Sequence, residues 1–287
     1  MKIAVLGSIN MDLVVRVPRL PLAGETLRGH DFFRVPGGKG ANQAVAAARL
    51  GADVTLIGRV GNDDLGREAL DALEHERVDT SRIAIDPDEP TGVALICVAD
   101  DGENTIVTSG GANHRIADVE IPDADMLLVQ LEVPMAAVSS AVRAARCPVV
   151  LDPAPVAALP PDVLDGLEWI TPNEVEAQAL TGRTEPAQAA RELLRRGVKN
   201  VVVTLGPDGC LASSEGSELH VPAPDIQAVD TVACGDAFNA ALAVALSSGA
   251  PVAEALRRGC AAGALAATKP GAQRSLPSAR ELEGLLR

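Results

Sequence analysis

Short apolar runs that alternate with helix-forming stretches constrain this chain more than any other feature. KIAVLG (2–7), VTLIGRVG (54–61), MLLVQLE (126–132), PVVLDPAP (148–155) and NVVVTLG (200–206) are each hydrophobic almost without a break before a glycine or a polar residue. A strand buried on both faces needs such a run, whereas a half-solvated strand would alternate. Between the runs, Ala41–Leu50 has helical composition and stops at Gly51, and Asp63–Glu76 and Pro134–Arg146 read as helices. WITPNEVEAQALTG (169–182) gives a strand and then a helix, and another helix closes over Arg191–Gly197. Two long alanine-rich helices follow NVVVTLG, and Ser275–Arg287 reads as a last short one. This order predicts a single α/β domain over residues 1–287, a doubly wound, mostly parallel sheet flanked by helices. Thr91–Ala99 and Asn104–Ser109, joined by the turn-rich ADDGE, read instead as a hairpin. With the strand-like Asp12–Val17 they form a small β extension drawn from about 12–35 and 91–109, while the Pro/Gly-rich segment Pro18–Gly40 is expected to interrupt any regular element.

Composition removes several classes of function. A net charge of −14 opposes sequence-independent nucleic-acid binding, and Trp169 with three phenylalanines is too few aromatics for a base-stacking platform. Five cysteines without a CxxC pair (97, 147, 210, 234 and 260) point to neither a disulfide framework nor a zinc cluster. No run reaches the ~20 apolar residues of a membrane span, and MKIAVLGSINMD has no signal-peptide pattern, so a cytoplasmic location is expected.

In an open parallel sheet the ligand lies outside the carboxyl ends of the strands, where this chain places Asn10, Asp12, Glu132, Asp152, Asn173 and Gly206. Each alone reads equally as a cap or turn former, but so many together suggest one cleft. PGGKGANQA (36–44) opens into a helix without the spacing of a Walker P-loop, and VLGSIN lacks the dinucleotide fingerprint. Lys39, Asn42, Asn10 and Asp12 offer the mixed donors and acceptors that a hydroxyl-rich ligand needs. In DTVACGDAFNAAL (230–242) a small-residue turn runs into an apolar helix that ends at Gly249 and Pro251. The peptides of Ala233, Cys234 and Gly235 can cradle an anion there, and Asp236 either complements the helix dipole or does chemistry.

GSINMD, GGKGANQA, TGVALI, QLE, PAP, TPNEVE, TLGPDG, DTVACGDAFNAAL and KPGAQRS occur in the order and spacing of the ribokinase (PfkB) sugar-kinase family, which the chain resembles over its whole length. The resemblance implies magnesium-ATP-dependent phosphorylation of D-ribose at O5 on a ribokinase-like sheet, with a β lid that also clasps a homodimer. By position, Asp236 is then the catalytic base and Ala233, Cys234 and Gly235 the anion hole. Asn10, Asp12, Gly38, Lys39, Gly40, Ala41, Asn42 and Glu132 fall where the sugar is held, with Ala94 and Ile96 covering it. Asn173, Thr204, Leu205, Gly206, Pro207, Asp208, Gly209, Gly235 and Cys260 fall at the nucleotide, and Glu176 near the magnesium ion. Asp230, Val232, Ala266, Lys269, Gly271 and Ser275 fall at a site for potassium, a monovalent activator. The chain departs from the pattern at Cys234, where relatives carry Ser, Ala or Gly, and at Cys260, often Asn or His beside the adenine. A kinase of deoxyribose, another pentose or a nucleoside, and an inactive sugar sensor, are the alternatives; the sensor would be expected to have lost Asp236.

Overall fold

Ile3 and Val5 of the first strand, β1 (Lys2–Leu6), bury into one apolar cluster, while Ala4 and Leu6 bury into another on the opposite face. The continuous apolar runs therefore do mark strands covered on both sides. A computed structural model describes residues 1–117 and 119–287. After β1 come β2 (Asn10–Val17), β3 (Asp31–Gly37), α1 (Lys39–Arg49), β4 (Asp53–Gly61), α2 (Asp64–His75), β5 (Asp79–Asp86), β6 (Gly92–Ala99) and β7 (Asn104–Ser109). A 3₁₀ turn at Gly111–Arg115 leads to β8 (Met126–Val129), α3 (Met135–Ala144), β9 (Val149–Leu151), α4 (Pro161–Leu164), β10 (Trp169–Ile170), α5 (Glu174–Thr181) and α6 (Pro186–Arg195). The remainder is β11 (Asn200–Thr204), β12 (Cys210–Ser214), β13 (Ser217–Val221), α7 (Cys234–Ser247), α8 (Val252–Ala267), α9 (Ala272–Ser275) and α10 (Ala279–Leu286).

Among the described residues the larger sheet runs β13-β12-β11-β10-β9-β8-β1-β4-β5, parallel except for the hairpin β12–β13 at one edge. Helices α1, α2, α7, α8 and α10 cover one face; α3, α4 and α6 cover the other. The winding reverses between β1 and β8, so the crevice beyond Leu6 and Val129 is where such a sheet accepts a ligand. Helix α1 sits on this crevice without an intervening side chain. A Cβ on Gly40 would lie 2.5 Å from the carbonyl carbon of Gly7 and 2.6 Å from the Ser8 nitrogen.

The smaller sheet runs β3-β2-β6-β7 and forms the expected lid. The expectation that Pro18–Gly40 holds no regular element is corrected by β3, which pairs antiparallel with β2 from Asn10↔Gly37 to Arg16↔Asp31. As an edge strand β3 needs only one bonded side, so Pro36 is tolerated, and its mostly exposed residues give no buried-strand signal. The sequence reading also left β5 and the β12–β13 hairpin unassigned. No helix among the described residues is long and apolar enough to cross a membrane.

Candidate active site

Helix α1 begins at Gly38, whose φ of +89° and whose Cβ position, 2.8 Å from the Asn10 nitrogen, suit glycine alone. Its first turns carry Lys39, Asn42 and Gln43 under the start of α7. There Asp236, 4% exposed, accepts from Asn42 Nδ2 at 2.9 Å and from Gln43 Nε2 at 3.1 Å. Gln43 Nε2 also donates to Asp152 at 2.9 Å, and its own Oε1 accepts from Gln130 Nε2 at 2.6 Å. Burial raises the Asp236 pKa against the opposing pull of Lys39 and the two amides. Burial likewise pushes Asp152 up to about 7, although Lys39 Nζ stands 4.0 Å away. Burial disfavours the Lys39 ammonium, but Asp152, Asp236 and Glu132 outweigh it, and its pKa is raised.

The residues expected to hold the sugar converge on the same crevice. Glu132, three residues past β8, accepts from Ser8 Oγ and, at 3.1 Å, from the Lys39 N–H. Asp12 is pushed up to about 7 by burial and then by Glu132, and Gly37 lies so close that a Cβ would be 2.4 Å from its Oδ1. Parallel register sets Asp12 beside Ala94 and Val14 beside Ile96, so the two lid residues share the Asp12 face of the small sheet. Ala41, in contrast, turns its side chain into the core, and its N–H bonds Ser8 O at 2.9 Å.

At the start of α7, Ala233 adopts φ +60°, and the first helical bond runs from Ala237 N–H to Ala233 O at 2.9 Å. The N–H groups of Gly235 and Asp236 come before that bond, while that of Cys234 makes a 3.4 Å contact to Thr231 O. Beyond its chain neighbours and its own helix backbone nothing lies within 4 Å of a Cβ built on Gly235, and Gly235 is exposed, so the space above these peptides is open to an anion. The Cys234 thiol points to Asp230 O at 3.9 Å, and burial followed by Asp230 and Asp236 pushes its pKa up to about 11. It is a neutral neighbour of these helix-start peptides, not a charged one.

Asn173 and Thr204 bridge neighbouring strand ends. Beyond them the loop Leu205–Gly209 closes on itself through Leu205 N–H to Gly209 O at 2.8 Å, with Gly206, Pro207 and Asp208 in a 3₁₀ turn. Asn173 and Glu176 cap α5 reciprocally, each side chain accepting from the other's N–H at 2.8 Å. Cys260 is buried in α8 with its Sγ 3.5 Å from Cys210 Sγ, packed against the edge hairpin. Asp230 gathers the remaining segments: it accepts from Val232 N–H at 3.0 Å and Gly271 N–H at 2.8 Å, and its own N–H reaches Ala267 O at 3.2 Å. Ala266 O accepts from Lys269 N–H at 3.3 Å, Lys269 Nζ turns away to Glu281 at 2.6 Å, and Ser275 is buried in α9.

Sequence reasoning collected Asp152 as a strand-end acid but missed Ser8, Gln43, Gln130 and Asn113. Their signal is spatial: each bonds another site side chain rather than facing the cleft. The buried acids carry a stability signature. A free aspartate releases its proton near 3.8, whereas Asp12 and Asp152 hold theirs to about 7 in the fold. Through these two groups the folded protein binds more protons between these values, and their contribution to stability falls as pH rises from about 4 to about 7. Urea unfolding at about pH 5 and about pH 8 is expected to show Asp152→Asn gaining stability on the parent at the higher pH. An equal difference at both would contradict the shifted titration.

The profile of the pfkB family carbohydrate kinases matches residues 1–279. A ribokinase from Haemophilus influenzae is 41% identical, the alignment covering 97% of this chain and 96% of that protein. The structure of a Thermotoga maritima ribokinase superposes with a TM-score of 0.93 at 36% identity, covering 99% of this chain and 98% of the other. An Arabidopsis thaliana ribokinase complexed with ribose and ATP gives 0.93 at 34% identity, with the same coverage of 99% and 98%. A reversed-winding sheet, a four-stranded lid and a buried carboxylate at an open helix start, together with these full-length matches, mean that the chain belongs to the pfkB family of carbohydrate kinases.

Proposed function

We propose that the protein transfers the γ-phosphoryl group of ATP to O5 of D-ribose, giving D-ribose 5-phosphate and ADP. The observation that carries this reading is Asp236: a buried carboxylate, fixed by two amides, beside open N–H groups on one side and the polar crevice of Asn10, Asp12, Lys39, Asn42 and Glu132 on the other. As O5 attacks phosphorus, its proton passes to Asp236 and the γ-phosphorus–oxygen bond to ADP breaks. The raised pKa makes Asp236 a better acceptor than a surface carboxylate. The peptides of Gly235 and Asp236 face the charge that develops on the transferred group, and Lys39 balances the surrounding acids. Magnesium held by the nucleotide phosphates would neutralise part of their charge, with Glu176, whose carboxylate is only partly buried and bonds one backbone N–H, the residue placed to meet it. Product analysis over ribose, 2-deoxyribose, fructose and adenosine tests the reading, and turnover greatest on anything but ribose refutes it.

Potassium activation belongs to the same reading. Asp230 ties the segment before the anion hole to the Gly271 turn, where carbonyl-rich backbone suits a monovalent ion, and the open space at Gly271 leaves room. Such an ion would act by stiffening the anion-hole peptides, which lie between Val232 and Asp236. Turnover is expected to rise several-fold when potassium replaces sodium at equal ionic strength, and Asp230→Ala to lose that response. Identical alkali-ion titrations of variant and parent would place the ion elsewhere.

The lid suits a homodimer. Leu95 and Val107 pair in register on the face opposite Asp12, Phe32 lies on the same face two residues along, and the three are 52%, 60% and 63% exposed. An apolar patch of this kind on a soluble domain calls for a partner surface, here the lid of a second copy. Leu95→Asp is expected to sediment as a monomer; an unchanged dimer would move the interface off the lid.

A further inference from the structure

Asn113 is 1% exposed and sits in the 3₁₀ turn that carries the chain from the lid back to the large sheet. Its Oδ1 accepts from Ile9 N–H at 2.9 Å, and its Nδ2 donates to Ile9 O at 3.1 Å and to Asn10 Oδ1 at 2.8 Å. The backbone of Ile9 thereby fixes which end of the Asn113 amide is which. Reversal would set carbonyl against carbonyl and N–H against N–H in a buried site. That choice propagates one residue further. Because Asn10 Oδ1 is held by Asn113, the group Asn10 has left to offer the crevice is its NH₂, a donor and not an acceptor. The lid closes the other side of the pair. Gly92 stands in register with Asn10, and a Cβ there would lie 2.2 Å from Asn10 Oδ1 and 2.3 Å from Asn113 Nδ2.

We propose that Asn113 is a specificity-determining positioning residue: by holding Asn10 Oδ1 it obliges Asn10 to meet the sugar as a hydrogen-bond donor, which selects sugars with a hydroxyl oxygen at that point. The proposal rests on the reading of Asn10 as a contact to ribose. A sugar with hydrogen at that carbon leaves a buried N–H of Asn10 unpaired, and the penalty is largest when Asn113 denies the side chain any other orientation. Once freed, Asn10 rotates to suit either sugar and discriminates less.

The test compares kcat/KM for D-ribose and 2-deoxy-D-ribose, with magnesium-ATP, in the parent, Asn113→Ala, Asn10→Ala and the double variant, each checked by thermal melting. Asn113→Ala is expected to lower the ribose-to-deoxyribose ratio about tenfold, mainly through the KM for ribose and with the KM for ATP unmoved. In the Asn10→Ala background the same substitution should leave the ratio where it stands. Should the alanine variant fail to fold, Asn113→Asp keeps the acceptor for Ile9 N–H and removes the donor to Asn10, and the same fall in ratio is expected. A parental ratio in the Asn113 variants while Asn10→Ala lowers it overturns the proposal and leaves the sugar site intact. Additive losses in the double variant overturn it too, since Asn113 would then act on the fold at large. A parental ratio in Asn10→Ala removes the sugar contact itself, and the proposal with it.

Discussion

Asp236→Asn is expected to fold, to bind sugar and to lose two to four decades of turnover, a range of roughly 10²–10⁴ for a lost general base. The substitution is nearly isosteric, and the site can absorb it. One amide donor facing Asp236 must reverse, and Asn42, whose Oδ1 is buried without a partner, can turn that oxygen toward the new NH₂. The variant is also expected to melt at a higher temperature near neutral pH, because burial disfavours the charge that it removes. Loss of activity with a gain in stability separates the base from an acid that only complements the helix dipole. Such an acid would contribute about 0.3–1 kcal/mol to stability, and its removal would spare turnover. Single-turnover kinetics beside calorimetry decide the matter, and near-parental rates would take the base role from Asp236.

Gly40→Ala is expected to lose about 1–3 kcal/mol of stability, as overpacking does, and to cut turnover by roughly one to two decades. An added methyl would meet backbone atoms of Gly7 and Ser8 at 2.5–2.6 Å, and backbone cannot swing aside as a flexible side chain does. Helix α1 must then lift from the end of β1, and it carries Lys39, Asn42 and Gln43 with it. The amides that orient Asp236 are thus displaced by a change that removes no polar group. Gly51→Ala is the control. At φ +94° with nothing near its added carbon, it strains the backbone far from the site and should leave turnover intact. Equal kinetics in both variants would show that the close approach at Gly40 does not position the helix.

How much of this was legible in the residues follows from where the information lies. Strands buried on both faces announce themselves through unbroken apolar runs, and β1, β4, β8, β9 and β11 were readable for that reason. Strand β3, with Phe32 and Phe33 in solvent and a proline near its end, takes its conformation from pairing with β2, which no local pattern encodes. Strand β13 is likewise mostly exposed. At the site, residues that follow strands were found because the sheet delivers its carboxyl ends to the ligand. Gln43, Gln130 and Asn113 were not, since a side chain that holds another side chain has no sequence spacing to betray it. The family resemblance sets Ala41 among the sugar residues by position alone, and the helical turn aims its side chain into the core.

Strand β10 contributes Trp169, buried and the sole indole of a chain that has no tyrosine. The next residue beyond that strand is Thr171, followed by Pro172 and Asn173, where the chain meets the strand end at Thr204. Emission excited at the red edge of the protein absorbance therefore reports one location in the molecule, without labelling and without a competing fluorophore. The fold has in effect installed its own optical probe behind the strand ends proposed to hold the nucleotide, so that ligand titrations, stopped-flow mixing and unfolding are all to be followed through a single residue.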